Sequence, residues 1–272
     1  MSGRLEGKVA FITGAARGQG RAHAVRMASE GADILAFDLA DHQDGVLYPS
    51  ATMADLEETQ RLVEKEGRRA LIRKGDVRNL DDMRAFVDDG IAELGGVDIV
   101  VANAGICTPQ TWDNITPKAW QETIDVDLTG VWNTVMASAP QMVAAGKGGS
   151  IVLTCSLAGK KAVPYMMHYT TAKHGVTGLS KGFAAELGQH RIRVNSIHPG
   201  TVNSPMASQE IGEHLTKLNE TYPQLAASAT PFLPEWNVEC EDVAATAAFL
   251  ASDDARFITA EAISIDAGMQ AF

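Results

Sequence analysis

The sequence predicts an α/β fold: a single doubly wound domain of about seven parallel strands with helices on both faces. Three observations predict it. Short β-rich runs alternate with longer helical patterns along the whole chain. Those runs are almost continuously apolar, as strands covered on both faces must be. No linker, internal repeat or low-complexity tract divides the 272 residues, so they read as one domain.

The elements follow in order. "KVAFIT" (8–13) is a buried strand, and "GRAHAVRMASEG" (20–31) has helical periodicity that stops at Gly31. "ADILAFD" (32–38) is the second strand, and "MADLEETQRLVEKEG" (53–67) is an amphipathic helix ending in Gly67. "RALIRKGDV" (69–77) is strand-like, and the helix over 79–96 takes Asn79 as its cap. "VDIVVANAG" (97–105), a helical stretch over 117–145, "GSIVLTCS" (149–156), a helix over 166–189 and "IRVNSIHPG" (192–200) come next. A helix over 241–251 precedes the last strand, "AISIDAG" (262–268). Two segments break the rhythm: a polar insert at 39–52, and a stretch at 203–240 that mixes weak helix with Pro, Trp, Phe and Met. Loops of this length in compact domains are usually functional or mobile, and the second is read as a substrate lid.

Composition excludes several classes. A net charge of −11 argues against a nucleic-acid surface and against anionic membranes. No run is long and apolar enough to span a bilayer. Cys107, Cys155 and Cys240 are odd in number, widely spaced and outside any CxxC. A disulfide framework or zinc site is not expected, and a reduced, cytoplasmic setting is.

"TGAARGQG" (Thr13 to Gly20) lies between the first strand and the first helix. Gly14, Gly18 and Gly20 permit a tight turn and let backbone approach a pyrophosphate at the helix N-terminus, with Arg17 and Gln19 between them. Asp38 ends the second strand 18 residues past Gly20, where a carboxylate accepts from ribose hydroxyls and repels a 2′-phosphate. Arg17 points the other way, toward a 2′-phosphate, but Asp38 is better placed, so NAD is the expected cofactor. This is the Rossmann-type pattern. Asp76 and Val77 of "GDV", and Asn103, Ala104 and Gly105 of "NAG", stand at carboxyl ends of strands, where open parallel sheets bind ligands. A helix cap is the plainer role for Asp76.

In "HYTTAKHG" Tyr169 precedes Lys173 by four residues, so both share a helix face. A free phenol titrates near pH 10 and is a poor base at neutrality. A neighbouring ammonium lowers that value and suits the phenol to exchange a proton with an alcohol or a carbonyl. Ser156 ends the fifth strand, 13 residues earlier.

With these pieces the chain resembles the short-chain dehydrogenase/reductase family over nearly its whole length, through "TGAARGQG", Asp38, "GDV", "NAG", Ser156, "YTTAK", "HPGTV" and "IDAG". The resemblance implies Tyr169 as general acid/base, and Lys173 as the group that lowers its pKa and holds the nicotinamide ribose. It implies that Ser156 binds the substrate oxygen, and that Pro199, Gly200, Val202 and Ser204 frame the carboxamide. The family commonly has Thr where Ser204 stands, and the hydroxyl survives. One departure stands out: Asp127 occupies the place of an asparagine that holds a helix bend and a relay water beside the lysine. An ionised aspartate accepts but cannot donate, and its charge opposes that of Lys173. The other reading is that Asp127 still anchors the water.

The insert, with "KHG" after the tyrosine, resembles the carveol-dehydrogenase-like, mycofactocin-coupled branch. That implies NAD held without ready exchange, a mycofactocin-type redox partner and a hydrophobic alcohol or ketone substrate. Met166, Met167, Met206, Phe232, Leu233 and Trp236 are candidates for an apolar pocket. Two other readings are an acyl-carrier-protein ketoreductase, disfavoured by a lid whose only Lys or Arg is Lys217, and a non-catalytic NAD-binding scaffold. Family members are usually homotetramers.

Overall fold

A computed structural model describes residues 3–271. Its centre is a seven-stranded parallel sheet in the order β3-β2-β1-β4-β5-β6-β9. The strands are β1 (Val9–Thr13), β2 (Asp33–Asp38), β3 (Ala70–Lys74), β4 (Ile99–Ala102), β5 (Gly149–Thr154), β6 (Ile192–Pro199) and β9 (Ala262–Ile265). Two further strands of two residues each, β7 (Val202–Asn203) and β8 (Val238–Glu239), pair in parallel apart from the sheet. They tie together the two ends of the expected lid. The helices are α1 (Gly18–Ser29), α2 (Met53–Lys65), α3 (Leu80–Leu94), α4 (Pro117–Ile124), α5 (Gly130–Ala145), α6 (Met167–Leu187), α7 (Gln209–Thr221) and α8 (Cys240–Ala251).

Successive residues of a strand point to opposite faces, so a strand buried on both sides has no polar alternation to show. β1 demonstrates it. Ala10 and Ile12 pack with α1, α2 and α8 through Met27, Leu56 and Val243. Val9 and Phe11 pack with α3, α5 and α6 through Met83, Val135 and Val176. Phe11, Phe37 and Phe86 meet with ring centroids 5.9 to 6.4 Å apart, each pair adding about 1 kcal/mol to area burial. Gly90 lets α3 lie close on β2: a Cβ there would stand 2.3 Å from Leu35.

The chain runs β1, β2, β3 outward, then returns to place β4 on the other side of β1. That reversal opens a crevice beyond the carboxyl ends of β1 and β4. The long helical stretch expected over 117–145 is interrupted. Asp125–Thr129 is a π-helical turn between α4 and α5, and Asp127 lies in it. Such bulges are frequent at functional sites.

Candidate active site

The glycine turn is built by exclusion. Gly14 has φ +66, and a Cβ on it would stand 2.8 Å from Ala104 Cα. A Cβ on Gly20 would stand 1.9 Å from the Gly14 carbonyl oxygen. Asn103 fastens the turn to β4, its Nδ2 donating to the Thr13 carbonyl at 3.1 Å. No side chain caps the N-terminus of α1, and its first turn carries no acid. Free N–H groups and the helix dipole therefore face the groove, an arrangement that suits an anion.

The groove holds about 190 Å³, and Gly14, Arg17, Gly18, Gln19, Gly20 and Asp38 form one wall. Asn103, Ala104, Gly105 and Ser204 also line it. Asp38 is buried; its Oδ2 accepts from Ala16 N at 2.9 Å and its Oδ1 from Ala40 N at 2.8 Å. Burial raises its pKa, while those two hydrogen bonds pull it back. Arg17 donates to the carbonyl of Pro49 in the insert. Asp76 and Val77 lie just past β3 but do not line the groove. Asp76 Oδ1 accepts from Arg78 N at 2.9 Å, and its carboxylate pairs with the Arg78 guanidinium. Asn79 makes the helix cap, accepting from Asp82 N at 3.1 Å.

A neighbouring cavity of about 280 Å³ carries Ser156 and Tyr169 on its wall, with Pro199, Gly200, Val202 and Ser204. Ser156 follows β5 and opens a 3₁₀ turn, its Oγ accepting from Ala158 N at 3.1 Å. Its hydroxyl, beside Tyr169, favours the phenolate. Lys173 sits one helical turn beyond Tyr169, its Nζ 5.3 Å from the phenol ring centroid.

The lysine's charge is not met by the phenol. Lys173 Nζ stands 3.2 Å from Asp127 Oδ1 and donates to the Thr154 carbonyl at 3.3 Å. The Asp127 contact is an ion pair off hydrogen-bond geometry, since Oδ1 has no hydrogen-bond partner among the described residues while Oδ2 accepts from Ile106 N at 3.2 Å. Asp127 is 0% exposed, and burial pushes its pKa up to about 6 against the pull of Lys173. Tyr169 is raised well above the usual phenol value, first by burial and then by Cys107 and Asp127. In this arrangement the phenol is therefore not lowered as the Tyr–Lys spacing alone suggests: Asp127 neutralises the ammonium, and desolvation dominates. Gly105 makes the close packing possible, because a Cβ there would stand 2.7 Å from Asp127 Oδ1.

Two residues escaped the sequence reading. Tyr48 of the insert is half-buried in the groove and its hydroxyl accepts from Cys107 N at 3.3 Å. His198, inside "HPG", is fully buried behind Ser156. Its Nδ1 lies 2.8 Å from the Ser156 carbonyl and its Nε2 2.9 Å from Ser196 Oγ. Burial lowers its pKa to about 4, so it is neutral and its Nδ1 carries the proton that the carbonyl accepts.

The lid differs from expectation. Met166 and Met206 line the cavity, but Met167, Phe232, Leu233 and Trp236 do not, and the last three are 57–63% exposed. The Phe232 and Leu233 N–H groups donate to the Ala267 carbonyl, which anchors that segment on the C-terminal turn. Ile211, Leu215 and Leu225 line the cavity instead. The signal was present in "EIGEHLTKL", whose apolar residues recur at helical spacing.

The insert reaches across the crevice. Besides holding Arg17, it accepts from Thr108 Oγ1 at the Gly45 carbonyl (2.7 Å) and from Ser208 Oγ at the Leu47 carbonyl (3.3 Å). Ser208 is the N-cap of α7, so insert and lid touch.

A family model described as enoyl-(acyl carrier protein) reductase matches residues 14–270. The chain is 45% identical to (−)-trans-carveol dehydrogenase of Rhodococcus erythropolis, over 97% of this chain and 98% of that one. A crystal structure of a short-chain dehydrogenase from Mycobacterium paratuberculosis, bound to NAD, superposes with a TM-score of 0.98 at 55% identity, covering 99% of this chain and 100% of the other. The carveol dehydrogenase of Mycobacterium avium in complex with NAD gives 0.93 at 43% identity over the same shares.

Proposed function

The chain belongs to the short-chain dehydrogenase/reductase family, and we propose that it is an NAD-dependent oxidoreductase interconverting a hydrophobic secondary alcohol, carveol-like in size, with its ketone. The observation that carries this reading is the apposition of two spaces. Ser156 and Tyr169 form the wall of an apolar cavity that adjoins the glycine-turn groove. The groove fits the dinucleotide: the uncapped α1 N-terminus suits a pyrophosphate, and the buried Asp38 suits ribose hydroxyls. Arg17, held by Pro49, is turned toward the insert, which supports NAD over its 2′-phosphorylated form. Related proteins bound to NAD support the same choice.

Bound NAD supplies the hydride acceptor. The protein's own groups do the rest. Tyr169 takes the alcohol proton or returns it to the ketone. Ser156 donates to the substrate oxygen as charge develops there. Lys173 holds the nicotinamide ribose and supports the phenolate, and Asp127 tempers that support through the buried pair. Pro199, Gly200, Val202 and Ser204 frame the carboxamide. Val163, Met166, Ile211, Leu215 and Leu225 give the substrate an apolar surround.

Three finer readings accompany this one. The insert, braced on Arg17, Thr108 and Ser208, slows release of NAD, so that re-oxidation in place by a mycofactocin-type partner is favoured. The faces of α5 and α6 form an interface of a homotetramer. The setting is cytoplasmic; no described helix is long and apolar enough to cross a membrane. The acyl-carrier-protein reading wants a basic docking patch, and a net charge of −11 disfavours it.

The test is turnover of a panel of apolar secondary alcohols with NAD or NADP. Oxidation of cyclic terpenoid alcohols with NAD is expected. Negligible turnover across the panel, equal in wild type and Tyr169→Phe, would favour a non-catalytic scaffold. NAD exchange as fast in the intact chain as in an insert-deleted variant would sink the retention reading.

A further inference from the structure

The groove and the cavity share three lining residues: Gln19, Ser204 and Met206. Hydride passes only between carbons in contact. If the proposed function holds, on which this inference rests, the nicotinamide ring therefore sits where groove meets cavity, against these residues. Ser204 and Met206 come from the segment after β7, and Gln19 comes from the first turn of α1. Gln19 is the one amide among the three.

Its Oε1 is buried and has no hydrogen-bond partner among the described residues. A buried acceptor without a partner is unfavourable and calls for an explanation. The surroundings supply one. The nicotinamide ring is cationic when oxidised and neutral when reduced. An amide oxygen carries partial negative charge, and in a site shielded from water its attraction for a cation is stronger than in solvent. An apolar side chain at position 19 would line the same junction without distinguishing the two forms.

We propose that Gln19 is a cofactor-contacting residue that sets the preference for oxidised over reduced dinucleotide, its amide oxygen facing the nicotinamide ring. The preference keeps the resting protein in the oxidised form that an alcohol substrate needs. The pyrophosphate and the adenosine are identical in both forms, so any effect of position 19 on them cancels in the ratio of the two affinities.

The test is calorimetric titration of NAD, NADH and ADP-ribose into the nucleotide-free full-length protein, as wild type, Gln19→Leu and Gln19→Glu. ADP-ribose lacks the nicotinamide and reports whether the groove is intact. Gln19→Leu should lower the NAD-to-NADH affinity ratio by about fivefold, and Gln19→Glu should raise it by at least as much. Unchanged ratios, or the opposite order, with ADP-ribose still bound would overturn the inference alone. An opposite order would mean that the amide presents its N–H₂ to the ring. Failure of the wild type to bind any of the three ligands would overturn the functional reading, and this inference with it.

Discussion

The two ends of the cleft are made of different material. At the nucleotide end the structure is held by backbone: Gly14 and Gly20 exclude side chains, Asp38 grips two N–H groups, and Asn103 ties the turn to β4. Every one of those groups lies in a short motif at the end of a strand. At the substrate end the structure is held by side chains from distant segments. Lys173 on α6 meets Asp127 in the π turn, and the cavity wall comes from the loop before α6, from α7 and from the turns after it. Where segments close backbone on backbone they tolerate no added volume, whereas chemistry set by side-chain pairs is adjustable.

The sharpest way to break that contrast is Tyr169→Phe. It should lower kcat by about a thousandfold while leaving NAD affinity nearly unchanged, because proton exchange is the role proposed for the phenol and the groove is built elsewhere. A parallel loss of NAD binding in calorimetry would show that the two ends are one unit. Gly20→Ala attacks the other side. Its Cβ would collide with the Gly14 carbonyl at 1.9 Å, so a stability loss of about 2 kcal/mol and a still larger loss of NAD affinity are expected. Denaturant unfolding and calorimetry check both.

Leu215→Ala should raise KM for a terpenoid alcohol about tenfold, with kcat, Tm and NAD affinity nearly unchanged. An unchanged KM would remove α7 from the substrate site. Asp127→Asn gives the smallest effect and the finest resolution. It removes the anion facing Lys173, so the ammonium acts on Tyr169 uncompensated. The apparent pKa governing alcohol oxidation should fall by about one unit. The stability sign is also fixed. Folding raises the Asp127 pKa from 3.8 to about 6, so the native state binds the extra proton in that window. The contribution is fully present below 3.8 and is lost as pH rises through about 6. Stability of Asp127→Asn relative to wild type should therefore rise across the window and then level off. A flat difference would mean that Asp127 does not titrate there.

The same division governs what the sequence discloses. Seven strands are legible because unbroken apolar runs between helical patterns have no other use, although the runs overshoot the pairing by one to three residues at their ends. The glycine turn, Asp38 and the Asn79 cap are legible because each lies in a short motif at the end of a strand or the start of a helix. The interruption at Asp125–Thr129 enters only as the helix bend that the family resemblance implies, since a π turn inserts one residue into a helix without changing its composition. The meeting of Asp127 with Lys173 likewise comes from the resemblance and not from spacing, because 46 residues separate them and only the fold brings them to 3.2 Å. Hydrophobicity alone nominated Phe232, Leu233 and Trp236 for the pocket. Position decided otherwise, because backbone bonds of the first two to Ala267 fix that segment against the C-terminal turn.

On the proposed reading, a dinucleotide in the groove and an apolar alcohol in the cavity react across their junction. The most direct measurement is the reduced-nicotinamide absorbance of protein loaded with NAD, freed of excess nucleotide, before and after one addition of carveol. A rise limited to one reduced nicotinamide per subunit is expected. No rise with carveol or any other apolar secondary alcohol, while NAD remains bound, would contradict it.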